Sequence, residues 1–330
     1  MSTSVLICDD SSFARKQMAR ALPEKWDIEV SFASGGEECI EMLQQGKGEL
    51  LFLDLNMPGI DGYGVLKAIR ERDLGTMVIV VSGDVQAEAH DRVKSLGAME
   101  FIKKPVSIEY VQKVLNQYGL YLESEVSQSS VSIDVDLWDG YQEITNVAMG
   151  RAADRLASVL GNFVKMPIPN INMIDVCDLQ MVLKEVQSND KISSVSQGFI
   201  GSGIAGEALL IFKEQSFEDM ATLMEFEGEI GEAEQLELLM DLSNILIAAF
   251  IKALGELLGF AFSQGHPVVL GRHVSLNELM NKATQRWEST LTIEMGYVIE
   301  NKNISCDLLV LFTEDSLPVL ERTVSGMIGD

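Results

Sequence analysis

Four groups with acid, amine or hydroxyl chemistry stand at the ends of short apolar runs in this 330-residue chain. Asp9-Asp10 follow the run 5–8, Asp54 lies near the end of 50–55, Ser82 follows 77–81, and Lys104-Pro105 follows 100–102. Three carboxylates gathered in one crevice repel one another, and some must bind protons more tightly unless a cation neutralises them. Mg²⁺ suits that task because it prefers oxygen ligands and keeps positions open for water and a phosphoryl group. Lys104 adds a point charge for a phosphoryl oxygen, and Ser82 adds a hydroxyl. With a phosphoryl donor held in line, Asp54 is a candidate nucleophile.

A second set of residues recurs. Glu143-x-x-Asn146 is followed after 22 residues by Pro169, and Asp241-x-x-Asn244 is followed after the same interval by Pro267, an offset of 98 residues. Helical residues three apart share a face, so each acid projects beside its amide. Asp139 and Glu237 stand four residues before the two acids, and Asp139 is placed to cap its helix. A single E-x-x-N occurs freely by chance on solvated helix faces, whereas two copies with an identical interval to proline do not.

The elements that position these residues are legible in outline. The four runs above and a fifth, 28–33, alternate with stretches of helical period through residue 120. Such alternation implies a parallel sheet covered on both faces, with any ligand site at the carboxyl ends of its strands. A serine-rich, acidic stretch without apolar period reads as a linker at 123–134, between a first domain at 1–122 and a second at 135–330. Within the second domain, the segment 207–224 is echoed by 306–324, so two repeats are expected, about 135–228 and 229–330. Each repeat would supply one long helix and about three strands, giving an α+β fold with a pseudo-twofold axis.

Asp9-Asp10, the segment 54–62, Ser82-Gly83, and Gly97-Ala98 through Phe101-Ile-Lys-Lys-Pro105 resemble the receiver domain of bacterial two-component response regulators, over residues 4–120. The resemblance implies a flavodoxin-like, doubly wound, five-stranded parallel sheet. It also implies that Asp54 accepts phosphate from a histidine kinase or small phosphodonor. Asp9, Asp10, Asp54 and the backbone carbonyl of Asn56 would serve Mg²⁺, Ser82 and Lys104 would bind the phosphoryl group, and Phe101 would be the aromatic switch. Gly83 would leave the phosphoryl site uncrowded, and the bond before Pro105 is expected to be cis. A haloacid dehalogenase type of phosphatase would need a second Asp where this chain has Asn56.

The repeated pattern resembles the CheC/CheX/FliY family of chemotaxis phosphatases. Asp139, Glu143, Asn146 and Pro169 fit its motif, whereas the second copy departs from it with Glu237 and the shorter Asp241. The implied reaction is hydrolysis of the acyl phosphate on a separate, phosphorylated CheY-type receiver. Asn146 and Asn244 would position the attacking water, and Glu143 or Asp241 would pair with the lysine lining the partner's phosphorylation site. The receiver would control this phosphatase, and a CheD-like regulator is an admissible further partner. The alternatives are a binding module or scaffold of flagellar-switch type, which would not need the amides, and a timer that dephosphorylates its own Asp54.

Composition narrows the rest. The formal charge is −25, of which residues 1–122 carry −5 and the remainder −20, so affinity for nucleic acid or anionic lipid is not expected. The opening residues do not read as a signal peptide, which points to the cytoplasm. The longest apolar stretch, 245–262, is broken by Lys252 and Glu256 and reads as a core helix rather than a membrane span. Cys8, Cys39, Cys177 and Cys306 are far apart and read as buried hydrophobes, and His266 and His273 have no third metal ligand nearby. Gly201-x-Gly203-x-x-Gly206 precedes a strand rather than a helix, so it reads as a hairpin turn and not a dinucleotide cradle.

Overall fold

The computed structural model describes residues 2–121, 133, 135–175, 192–213, 216–224, 231–270, 289–302 and 304–329. The chain divides into two compact units, Met1–Glu143 and Ile144–Asp330. The expected linker at 123–134, Cys177 and His273 lie outside the described residues, apart from Ile133.

In the first unit, strands β1 (Thr3–Cys8), β2 (Ile28–Ala33), β3 (Leu50–Leu53), β4 (Met77–Ser82) and β5 (Glu100–Lys103) form a wholly parallel sheet in the order β2-β1-β3-β4-β5. Helices α1 (Ser12–Ala21), α2 (Gly36–Gln44), α3 (Gly62–Glu71), α4 (Ala87–Ser95) and α5 (Ile108–Gln117) alternate with the strands. Successive strand residues point to opposite faces, and two apolar cores result. Leu6, Cys8, Leu51, Leu53, Val78 and Val80 pack with Ile40, Leu43, Val65 and Val93 on one face. Val5, Ile7, Leu50, Phe52, Ile79 and Val81 pack with Met18, Trp26, Val111 and Leu115 on the other.

Local chemistry fixes where the helices start. The side chains of Ser11, Asp61 and Ser107 accept hydrogen bonds from the N–H groups of Ala14, Gly64 and Tyr110, capping α1, α3 and α5. The Lys104-Pro105 peptide bond is cis, as expected. Strand β3 stops two residues short of the apolar run, because the chain turns after Asp54 and the carbonyl of Leu55 accepts from the N–H of Gly62 at 3.0 Å. Gly62 is required there, since a Cβ would lie 2.3 Å from the carbonyl oxygen of Asp54.

In the second unit, an antiparallel sheet runs in the order β10-β8-β9-β13-β12-β6. Its strands are β6 (Val164–Lys165), β7 (Asn170–Asp175), β8 (Ile192–Gly201), β9 (Ile204–Lys213), β10 (Ser263–Gln264), β11 (Val268–Leu270), β12 (Ser289–Ile299) and β13 (Ser305–Phe312). Helix α6 (Leu137–Leu160) precedes β6, α7 (Phe217–Leu223) follows β9, α8 (Glu232–Leu258) precedes β10, and α9 (Leu317–Gly329) follows β13. The second half thus repeats the first, element for element. Strands β10 and β11 of the second repeat pair with β8 of the first, while β6 and β7 of the first pair with β12 of the second. At the centre β9 and β13 pair antiparallel, with Leu209 opposite Leu309 and Leu210 opposite Leu308. The seven-pair ladder between these strands is centred on Leu209 and Leu309, where the pseudo-twofold axis passes between them. Each repeat supplies four strands rather than three, because the two-residue strands β6 and β10 are too short to give an apolar pattern.

The glycine-rich segment is a hairpin turn. Ser202 and Gly203 both have positive φ, 51° and 83°, which suits a two-residue connection between β8 and β9. A Cβ at Gly206 would lie 2.3 Å from the carbonyl oxygen of Leu311, so that glycine permits the close pairing of β9 with β13. Residues Ala233–Leu258 of α8 form a helix long and apolar enough to cross a membrane, but 61% of its apolar window is buried within the protein. Leu242, Leu246, Ile247, Phe250 and Leu254 supply that buried face. Cys8, Cys39 and Cys306 are free and buried.

Candidate functional site

Strands β1 and β3 are neighbours, so their carboxyl ends bring Asp9 and Asp54 together. The N–H of Asp54 donates to the carbonyl of Cys8 at 2.9 Å, and the N–H of Asp9 donates to the carbonyl of Ala33 at 3.2 Å. Carboxylate oxygens of Asp9, Asp10 and Asp54 lie within 4.8 Å of one another. Lys104 enters from the end of β5, where its N–H donates to the carbonyl of Ser82 at 2.9 Å. Its Nζ stands 2.8 Å from Asp9 Oδ2 and 3.0 Å from Asp54 Oδ1. The other oxygen of Asp54 accepts the N–H of Asn56 at 2.7 Å.

Ser82, at the end of β4, is fully buried and its Oγ accepts the N–H of Asp84 at 3.1 Å. Phe101 is buried on β5 and meets the His90 ring edge-on, with centroids 5.7 Å apart. Asp9, Asp54 and Lys104 are thus in direct contact, with Asp10 in the same carboxylate cluster.

Three features have no pattern in the sequence. Arg15 Nη1 donates to the backbone carbonyls of Asp9 and Asp10 at 2.6 and 3.1 Å, which fixes the loop carrying both acids. Nothing in its spacing separates Arg15 from its neighbour Lys16. Within the first unit, Glu143 is buried and its Oε1 and Oε2 lie 3.2 and 3.3 Å from Lys104 Nζ. Ser12 Oγ donates to the carboxylate of Asp139. Asp139 is consequently not the helix cap. Asp136 takes that role, its Oδ1 accepting the N–H of Asp139 at 2.8 Å.

One ammonium therefore serves a pocket holding four carboxylates. Burial pushes Asp9 well above its ordinary range; Lys104 opposes the shift, and the charges of Asp54 and Glu143 add to it. Asp10 is pushed up to about 6, by burial first and by Asp54 second. Glu143 is raised by burial against the pull of Lys104. Burial alone would lower Lys104, but Asp54, Asp9 and Glu143 outweigh it and raise the amine well above its ordinary value. An all-oxygen donor set with surplus negative charge fits a hard divalent cation at Asp9, Asp10 and Asp54.

The second copy is arranged differently. Asp241 and Asn244 are exposed on α8, as is Glu237. Helix α8 begins at Glu232, nine residues before Asp241, so this acid lies well inside its helix. Asn146 is half-buried on α6. Pro169 immediately precedes β7 and Pro267 immediately precedes β11, so the equal interval reflects equivalent places in the two repeats. His266 is exposed.

Residues 5–116 match the family model described as the response regulator receiver domain. The chain is 32% identical to a chemotaxis protein CheY of Halobacterium salinarum over 105 residues, 32% of this chain and 87% of that protein. It is 36% identical to a protein-glutamate methylesterase/protein-glutamine glutaminase of Geobacter sulfurreducens over 102 residues, and spans only 27% of that protein's length. Among solved structures, FliY of Thermotoga maritima aligns with 60% of this chain and all of that one, at 20% identity and a TM-score of 0.44.

Proposed function

The chain belongs to the response regulator receiver family through its first unit, and from that membership we propose a signalling protein that joins a phosphoaccepting receiver to a CheC-like aspartyl-phosphate phosphatase. The phosphoryl group comes from a histidine kinase or a small phosphodonor, and the wider pathway is chemotaxis or one like it. Asp54 attacks the donor phosphorus and becomes an acyl phosphate. Lys104 and Ser82 bind its oxygens, and Phe101 with its neighbour His90 responds to the new charge. Asp9, Asp10 and Asp54, with the carbonyl of Asn56, would hold Mg²⁺. When bound, that ion supplies positive charge to the phosphoryl oxygens and offsets the surplus of carboxylates.

The phosphatase residues are the two acid and amide pairs. Hydrolysis of an acyl phosphate needs little covalent chemistry from the protein beyond placing one water in line with the scissile bond. An asparagine amide accepts a hydrogen bond from that water and adds no repelling charge. Asn146 and Asn244 take this role, and Glu143 and Asp241 bind the phosphoacceptor lysine of the receiver being dephosphorylated. The observation that carries this reading is that Glu143 lies 3.2 Å from Lys104, which is a lysine of that kind. The exposed pair Asp241 and Asn244 is open to a separate CheY-type receiver.

The test is phosphate release from a separately purified, phosphorylated CheY-type receiver. The wild-type chain should accelerate release, and Asn146→Ala/Asn244→Ala should abolish the acceleration. Equal inactivity of both proteins on several receivers would replace the phosphatase by a binding module.

A further inference from the structure

We infer that the start of α6, residues 137–143, is an internal lid on the phosphoacceptor pocket: Glu143 holds the place at Lys104 that a phosphoryl oxygen must take, so Asp54 is loaded only after Glu143 withdraws. The inference rests on the reading of Asp54 as phosphoacceptor and Lys104 as its phosphoryl-binding lysine. Every group in it belongs to the first unit.

Hydrogen-bond stoichiometry at Lys104 carries it. An ammonium has three N–H donors. Asp9 Oδ2 stands 2.8 Å from Nζ, Asp54 Oδ1 3.0 Å and Glu143 Oε1 3.2 Å, so all three donors are taken and none is left for an incoming oxygen. Asp9 and Asp54 are fixed at the ends of β1 and β3, where the N–H of Asp54 is bonded to the carbonyl of Cys8. Glu143 instead arrives on a helix, 39 residues beyond Lys104, and can leave without unmaking the sheet. Charge points the same way. Asp9, Asp10, Asp54 and Glu143 share one ammonium, and a phosphodonor is itself an anion that this surplus repels.

Access to the nucleophile is closed as well. Asp54, Lys104 and Glu143 are 4%, 6% and 4% exposed. The space left beside them, lined also by Ala14, Gln17 and Met18 of α1, is about the size of one water. A phosphoryl group in line with Asp54 does not fit there. A second contact latches the lid, because Ser12 Oγ donates to the carboxylate of Asp139. Asp139 and Glu143 are four residues apart and share a helix face, so one holds at the rim beside Asp10 while the other reaches Lys104. Ser12 is free for this task, since Ser11 caps α1. Closure and an anion on Asp54 exclude each other, and by linkage each weakens the other by the same factor. Phosphoryl on Asp54 therefore releases Glu143.

The experiment titrates the full chain with beryllium fluoride in Mg²⁺ buffer by calorimetry. This anion takes the place of a phosphoryl group on a carboxylate and does not turn over, so the result is independent of any phosphatase activity. Apparent affinity is cut by the fraction of time the pocket is closed, so Glu143→Ala should bind on the order of tenfold more tightly than wild type. Ser12→Ala should bind several-fold more tightly, and Asp54→Ala should not bind. Circular dichroism should confirm that each variant is folded. In wild type, beryllium fluoride should quicken amide exchange over residues 137–143. Binding by either lid variant that is no tighter than wild type, or exchange that ignores the anion, would overturn the inference and leave the phosphoacceptor reading in place. If neither wild type nor any variant binds the anion, that reading fails as well.

Discussion

Lys104 Nζ sits 3.2 Å from Glu143 Oε1, and the same ammonium lies 2.8 Å from Asp9 and 3.0 Å from Asp54. It is the cation that the buried acids share. Removing one member of a buried charge network leaves the rest uncompensated, at a cost of about 3 kcal/mol. Lys104→Met should therefore lower the urea midpoint of the full chain at neutral pH in metal-free buffer, and added Mg²⁺ should recover part of the loss. An unchanged midpoint would mean that the acids are not held charged by Lys104.

Asp10 gives a pH dependence with a defined sign. Its folded value of about 6 lies above the ordinary 3.8, so between the two the folded chain binds more protons than the unfolded one. The resulting penalty is fully present above about pH 6 and disappears as pH falls through the unfolded value. After allowance for its partial exposure, the penalty is about 2 kcal/mol. Asp10→Asn should therefore be more stable than wild type at pH 7 without metal, and the two should converge near pH 4. Mg²⁺ should stabilise wild type more than Asp10→Asn, a difference that thermal melts with and without EDTA would reveal.

Gly62 bears on both stability and chemistry. Its missing Cβ would lie 2.3 Å from the Asp54 carbonyl oxygen and 2.8 Å from Leu55 Cα, both backbone atoms that cannot turn aside. Gly62→Ala should cost about 2 kcal/mol and displace Asp54, so urea unfolding and the rate of phosphorylation by acetyl phosphate should fall together. Loss of neither would contradict the packing described here.

Asp136 caps α6 through the N–H of Asp139. Asp136→Ala should cost about 1 kcal/mol. Because the cap lies about two turns ahead of Glu143 on the same helix, the substitution should also loosen the bond between Glu143 and Lys104. Amide exchange at the start of α6 should quicken, and no change there would assign the cap to another residue.

How much of this was readable from the sequence differs by element. Short apolar runs alternating with stretches of helical period mark all five strands of the first sheet, because parallel strands buried on both faces leave largely apolar stretches. The end of β3 was overread, since Leu55 is apolar but belongs to the turn closed by Gly62. Likewise Asp139 looked like a cap, while the true cap lies three residues earlier and frees Asp139 for Ser12. The start of α8 is not legible in the sequence, because Glu232 to Glu237 is mostly polar and its one large apolar residue, Leu236, is exposed. Strand duplication was legible, but the exchange of β6 and β7 for β10 and β11 across the axis depends on pairing between distant segments. The Lys104 to Glu143 contact joins residues 39 apart that no local pattern connects.

Steady-state phosphate production from acetyl phosphate by the full chain mixed with a separate CheY-type receiver tests the central claim most directly. A chain whose asparagines place water against a receiver acyl phosphate should raise production well above that of the receiver alone. Asn146→Ala/Asn244→Ala should add nothing to the receiver's own rate. Equal continuous production by wild type and the double asparagine variant would contradict the account.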